Sequence, residues 1–219
     1  MMTKLTAADG HTFDAWIEPA QGARRGGIVI VQEIFGVTDQ LKGVAARYAA
    51  LGYEVAIPAL FDRQKPGSVI AFDRAEDGRA LMQGAQLDQT MLDIDAARAA
   101  LAAGGGKVGV IGFCWGGGLA VRAAQLLDVA CAVSFYGTQL RKYLDRPLKA
   151  PVQGHFGATD DHTPPELVAE TQAYLGADFE VFSYAAGHAF ANDVRPAYVP
   201  EAAETAHGRV EAFLARHIG

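Results

Sequence analysis

The sequence predicts an α/β fold: a mostly parallel central sheet with helices on both faces, in one domain spanning residues 1–219. Three observations predict it. Short runs of apolar and β-branched residues, bounded by glycine or proline, alternate with longer segments of helical period. Residues 107–119 join a buried-strand pattern to a helix through a glycine-rich turn. Glu33, Cys114, Asp160 and His188 each follow a predicted strand, and the carboxyl ends of parallel strands are where functional groups collect. The length and a half-apolar composition suit one large globular domain.

In chain order, Asp9-Gly10-His11 is a turn signal. Residues 12–18 alternate, with Phe13, Ala15 and Ile17 on one face, and read as an edge strand. Residues 28–31 form a wholly apolar run suited to a central strand, and Gln32-Glu33-Ile34-Phe35-Gly36-Val37 follows it. Thr38 or Asp39 caps a helix to about Leu51, with Gly52 as its stop. Residues 54–58 are a second central strand. Residues 59–72 form a long loop, a kind of segment that tends to be functional or mobile. Residues 73–103 have helical period, broken near Gly84, with Leu87, Met91, Ile94, Ala97 and Leu101 on the apolar side and Arg98 reaching solvent. Strands are expected at 130–136, 148–157 and 179–184. Thr163-Pro164-Pro165-Glu166 reads as a helix start with Thr163 as N-cap and Pro164 at the first position. A closing helix covers about 201–217. Such alternation implies right-handed crossovers.

The turn at Gly112-Phe113-Cys114-Trp115-Gly116 has the form of a nucleophile elbow with Cys at its tip. A sharp strand-to-helix bend thrusts the side chain outward, and the flanking glycines leave room for strand and helix to pack. The helix behind Cys114 aims its positive end at the sulfur, which favours thiolate. The Trp115 N–H is placed to bind an oxyanion. A buried, inert cysteine is the competing reading, and the three glycines after Cys-Trp argue against it. The spacing of Gly109, Gly112 and Gly116 does not match a dinucleotide loop.

Composition narrows the partners. Net charge is −6 with no basic block, which argues against nucleic acid or an anionic membrane. The cysteines, Cys114 and Cys131, form no C-x-x-C, so no zinc or redox motif is present. Cys131 reads as packing. No hydrophobic signal core or membrane-length apolar run occurs, so a reduced, cytoplasmic setting is expected.

The order nucleophile, acid, histidine along the chain is that of α/β-hydrolases. His188 would handle protons and Asp160 would hold its tautomer. Asp161 is the immediate rival of Asp160. His155, read as a core residue, and His162 are rivals of His188. Glu33 stands where such folds carry an oxyanion-hole loop, making the Ile34 N–H the second donor. A carboxylate beside the thiol would disfavour thiolate, so Glu33 reads as a regulator of Cys114. Phe35, Phe113, Trp115 and Tyr136 read as pocket wall or core.

Together these segments resemble the dienelactone hydrolase (carboxymethylenebutenolidase) family, cysteine-dependent α/β-hydrolases, over nearly the whole chain. The likeness includes Asp9-Gly10-His11-Thr12-Phe13, Gln32-Glu33-Ile34-Phe35-Gly36-Val37, Arg63-Gln64-Lys65-Pro66-Gly67, the Cys114 elbow, Tyr136-Gly137, the segment from His155 to Asp160 and Ala186-Gly187-His188-Ala189-Phe190. The resemblance implies a Cys114–His188–Asp160 triad. It implies that Glu33 holds the resting thiol and takes its proton when substrate arrives. It implies no metal and no organic cofactor. The substrate would be an enol lactone from aromatic-compound breakdown, dienelactone opened to maleylacetate, or a related lactone or ester, which can be anionic.

One departure bears on substrate. The family carries a carboxylate-binding Arg four residues after the catalytic His, where this chain has Asn192, with Arg195 nearest. The helix before the elbow offers Arg74 or Arg79, without the family's Tyr. These residues, with Phe35 and Tyr136, are the candidate substrate contacts. A monomer or small homo-oligomer is expected. The competing function is an idle α/β-hydrolase scaffold that binds a small ligand or a partner.

Overall fold

The computed structural model describes Met1–Gly219. Its strands are β1 (Met2–Thr6), β2 (Thr12–Glu18), β3 (Gly26–Val31), β4 (Tyr53–Pro58), β5 (Val108–Phe113), β6 (Ala132–Phe135), β7 (Val152–Gly157) and β8 (Phe179–Tyr184). Its helices are α1 (Asp39–Ala50), α2 (Ala75–Gly84), α3 (Leu87–Ala102), α4 (Trp115–Leu126), α5 (Pro165–Leu175) and α6 (Pro200–His217). The expected α/β architecture is present, including the helix break after Gly84. The residues group into two compact units, Met1–Gly109 with Ile218 and Val110–His217 with Gly219.

In the first unit the strands run in the order β1-β2-β4-β3. The β3–β4 pair is parallel and the pairs of β2 with β1 and β4 are antiparallel. Residues 12–18 are therefore not an edge strand, as their alternation suggested. The N-terminal residues, polar enough to escape a strand reading, pair outside them. The Met1 ammonium donates to the Ile17 carbonyl at 2.6 Å, and Lys4 donates to Asp14 at 2.8 Å. Helix α1 starts as expected: the Thr38 hydroxyl oxygen accepts from the Leu41 N–H at 3.2 Å, satisfying one orphan donor.

The loop at 59–72 is tied down. Asp62 accepts from the Asp14 N–H at 2.8 Å and from the Gly67 N–H at 2.9 Å. Arg63 joins two more segments. It donates through two nitrogens to Asp93 of α3, both at 2.8 Å, and through two to Asp9 in the first turn, at 2.8 and 3.1 Å. Burial pushes the Asp93 carboxyl up and Arg63 pulls it back, while the guanidinium is held firmly protonated by its Asp93 hydrogen bonds. Arg98 does not reach out to solvent: its side chain is 17% exposed and lies on Asp95, one helical turn away.

The second unit holds β5 from Val110 on and all of β6, β7 and β8, paired in the order β5-β6-β7-β8 and parallel throughout. Strands β5, β6 and β7 are buried along their whole length, which is why β5 reads as a continuous apolar run. Phe113, Phe135, His155 and Phe182 occupy matching positions on the four strands. They stack in a row, with ring centroids 4.8, 4.9 and 5.6 Å apart. The middle histidine is a core residue, as expected. Burial pushes it down to about 3, helped by His207 and Arg209, so it is neutral. Its Nε2–H donates to Gln153 Oε1 at 3.0 Å, and the Tyr184 hydroxyl donates to its Nδ1 at 2.8 Å. That tautomer follows from the Gln153 oxygen, which can only accept.

Helix α5 begins one residue later than its sequence suggested, with Pro164 rather than Thr163 at the cap. Thr163 is used elsewhere: its hydroxyl donates to the Gly137 carbonyl at 2.8 Å.

Removing Arg63 leaves Asp93, 1% exposed, without its cation. Arg63→Ala is expected to lower unfolding free energy by about 3–5 kcal/mol, read from urea denaturation midpoints at constant slope.

Candidate active site

Cys114 lies between β5 and α4 with φ 53° and ψ −116°, a conformation costly for a residue with a β-carbon. The surrounding backbone holds it there. Its N–H donates to the Phe135 carbonyl at 3.0 Å, and its own carbonyl accepts from the N–H groups of Gly117 and Thr138, each at 3.0 Å. The elbow also requires Gly112, because a β-carbon there would strike the Gly116 carbonyl. Trp115 opens α4 and is buried. The sulfur-bearing residue stays partly exposed while Cys131 is fully buried.

Asp160 and His188 leave the carboxyl ends of β7 and β8. Their loops are clamped together: the Ala158 N–H donates to the Tyr184 carbonyl at 2.8 Å, and both the N–H and the hydroxyl of Thr159 donate to the Ala186 carbonyl, at 3.1 and 3.0 Å. Gly157 permits the approach, since a side chain there would run into the carbonyls of Ala186 and Gly187. The result is a contact of 2.7 Å between His188 Nδ1 and Asp160 Oδ2. The other Asp160 oxygen accepts from the N–H groups of His162 and Thr163, at 2.8 and 3.3 Å. Asp161 is exposed.

The imidazole of His188 is 19% exposed and also hydrogen-bonds to the Cys114 side chain. Burial alone would push it down. Its hydrogen bonds to Asp160 and Cys114, with the electrostatic attraction of those two groups, outweigh burial and lift it to about 10. At neutral pH the ring is an imidazolium, the counter-ion that a thiolate needs. Tyr136 and His162 meet it edge-on, with centroids 5.1 and 4.5 Å away. Tyr136 at φ 38°, just after β6, and Ala189 at φ 62°, next to His188, are, like Cys114, non-glycine residues with left-handed backbones.

Three further residues shape this pair: Gly157 and Thr159, which the sequence reading placed in a motif without a role, and Thr163, which it read as a helix cap. All flank Asp160, yet nothing in a one-dimensional pattern tells a clamping Thr from a loop Thr. The other candidates lie as follows. In the first unit Glu33, Ile34 and Phe35 are buried just beyond β3. Arg74 is exposed and ion-paired with Asp77, and Arg79 is exposed. In the second unit Asn192 is buried, and its carboxamide oxygen accepts from the Val194 N–H in its own turn at 3.3 Å. Arg195 is half-buried. No group of three or more His, Cys, Asp or Glu is arranged to hold a metal ion, and no helix is long and apolar enough to cross a membrane.

A strained cysteine on a strand-to-helix elbow, with a histidine and an aspartate on later strand ends, defines the α/β-hydrolase class. Solved structures agree. A protein of Klebsiella pneumoniae assigned provisionally to the dienelactone hydrolases matches with a TM-score of 0.84 at 26% identity, covering 98% of this chain and 99% of that one. The Pyrococcus furiosus esterase Pf2001 matches with a TM-score of 0.75 at 17% identity, covering 100% and 93%, and so shares the fold alone. The chain belongs to the dienelactone hydrolase family, whose model matches residues 13–218. It is 35% identical to the carboxymethylenebutenolidase of Pseudomonas putida, over 96% of this chain and 94% of that one. It is also 35% identical to that of Pseudomonas sp. strain P51, over 97% and 93%. The chain is thus a hydrolase of the ester- and lactone-cleaving class.

Asp160→Asn removes the negative partner of His188. The imidazole midpoint, followed by NMR titration, is expected to fall from about 10 towards the ordinary 6.5. The wild-type pair stabilises the fold fully below about pH 6.5 and loses that contribution as pH rises through about 10. The stability gap between wild type and Asp160→Asn should therefore narrow over that window.

Proposed function

We propose that the protein is a cysteine-dependent lactone or ester hydrolase acting through a thiol acyl-enzyme, with an enol lactone such as dienelactone, opened to maleylacetate, as the leading substrate. The single observation that carries this reading is the Cys114–His188–Asp160 arrangement, with His188 held as an imidazolium.

In this reading the Cys114 thiolate attacks the substrate carbonyl carbon, and the carbonyl electron pair moves onto oxygen. The N–H groups of Trp115 and Ile34 stabilise that oxyanion. As the carbonyl re-forms, the ring C–O bond breaks and the departing oxygen takes the Nε2 proton of His188. The product of this step is a thioester. Neutral His188 then removes a proton from water, the hydroxide equivalent adds to the thioester, and the C–S bond breaks. This returns thiolate and imidazolium and releases a carboxylic acid, which loses its proton to solvent. Asp160 holds the ring and stabilises the imidazolium throughout.

Glu33 regulates the thiol in this proposal, accepting its proton when substrate binds and returning it afterwards. The motif Gln32-Glu33-Ile34-Phe35-Gly36 supports the assignment. The two units together serve as one hydrolase domain. The carboxymethylenebutenolidase relatives support a lactone substrate. The position of Asn192 and the Arg74–Asp77 ion pair favour a carboxylate held by different cations, or a less charged lactone or ester.

The test compares a carboxylate-bearing dienelactone with a neutral aryl ester. Cys114→Ala is expected to reduce kcat by at least about a thousandfold on any true substrate, and turnover that survives it would sink the proposal. Glu33→Gln should speed iodoacetamide alkylation of the resting thiol and slow turnover. Equal alkylation rates would remove Glu33 from the mechanism.

A further inference from the structure

Helix α2 buries one residue, Gly78. Glycine inside a helix costs about 1 kcal/mol relative to alanine, so the position calls for a packing reason. A β-carbon on Gly78 would overlap the Ile34 carbonyl oxygen, and would lie 3.0 Å from the carbonyl carbon and 3.3 Å from the Ile34 β-carbon. Only hydrogen fits between the helix and that peptide group.

The same loop is fastened from the segment that leads into α2. Gly36 and Val69 form an antiparallel bridge, and the Ile70 N–H donates to the Phe35 carbonyl at 2.9 Å. The Phe72 ring meets Phe35 edge-on at 4.7 Å, just before α2. The far end of the helix is tied by Gln64, whose Nε2–H donates to the Leu81 carbonyl at 2.8 Å. Ile34 thus has one fixed strap on its C-terminal side and a helix resting on its carbonyl, all within the first unit.

We infer that Gly78 is a positioning residue: by seating α2 on the Ile34 carbonyl it sets the orientation of Ile34 and hence of the Ile34 N–H. The inference rests on the proposed oxyanion role of that N–H. The carbonyl and the N–H belong to one residue joined through a single α-carbon. With Phe35 and Gly36 held by the strap, a methyl pushing on the carbonyl is relieved largely by turning Ile34. An oxyanion donor works over a narrow distance range, and misplacement by about 1 Å costs about a hundredfold in rate.

The experiment uses the full chain. Gly78→Ala is expected to lower kcat for a wild-type substrate by about 10- to 100-fold, with KM changed by less than about threefold. Iodoacetamide alkylation of Cys114 should stay within about twofold of wild type, because the imidazolium beside the sulfur is untouched. Gln64→Ala, which frees the helix end and keeps the glycine, should lower kcat by a smaller factor, again without raising KM. It carries the test if Gly78→Ala does not fold.

Wild-type kcat in the folded Gly78→Ala protein, or in Gln64→Ala if that variant stands alone, would overturn the inference. A rise in KM at constant kcat would also overturn it, by making α2 a substrate contact. Alkylation lost in step with kcat would do the same, by tracing the effect to the thiol. Cys114→Ala run alongside separates the two levels. If it keeps turnover, the cysteine mechanism fails and this inference with it. If it is inactive while Gly78→Ala is fully active, the role of Gly78 alone fails.

Discussion

The carbonyl oxygens of Ala186 and Gly187 fill the space where residue 157 would carry a side chain, and the second unit's chemistry depends on that approach. With glycine there, the loops after β7 and β8 close until Thr159 bonds twice to Ala186 and Asp160 reaches His188. Strained backbones at Cys114 and Tyr136 sit at the ends of β5 and β6, and a third at Ala189 lies in the loop after β8, next to His188. Such conformations cost about 1–3 kcal/mol each and persist only where neighbours over-determine them. The buried strands and the aromatic row across β5 to β8 supply that rigidity, and the clamp uses it.

Two histidines of this unit show how environment divides one residue type into different roles. His155 is enclosed by aromatic rings, with burial the dominant force and His207 and Arg209 adding to it, and it stays neutral. Its bond to Tyr184 ties β7 to β8. His188 is also largely buried, but an aspartate and a cysteine sulfur face its two sides, and their attraction exceeds the cost of desolvation. The first histidine holds the strands in register. The second, one loop beyond the same strands, is held between Asp160 and Cys114.

The first unit uses charge differently. Arg63 draws together the first turn, the long loop and α3 through Asp9 and Asp93, so that a segment rich in polar residues has a fixed course. That course delivers Phe72 and α2 to the loop after β3. Arg74 and Arg79 ride on the exposed side of this arrangement, and Arg74 is engaged with Asp77.

Much of this protein was legible in the residue string, because strand cores, helix caps and the elbow are local patterns. Continuous apolar runs marked β3 and β5, Thr38 announced α1, and the glycines around Cys114 betrayed a turn that no bulky neighbour could enter. The order of Cys114, Asp160 and His188, each after a strand, pointed to one site. Partners far apart in sequence were not legible. The pairing of β1 outside β2, the course of Arg63 to Asp93 and the use of Thr163 on Gly137 instead of a helix cap each depend on register between distant segments. Tertiary structure also decided that Asp160, not Asp161, faces His188. Alternation along a chain shows which face a side chain takes, whereas its partner is chosen by how strands and loops are packed in space.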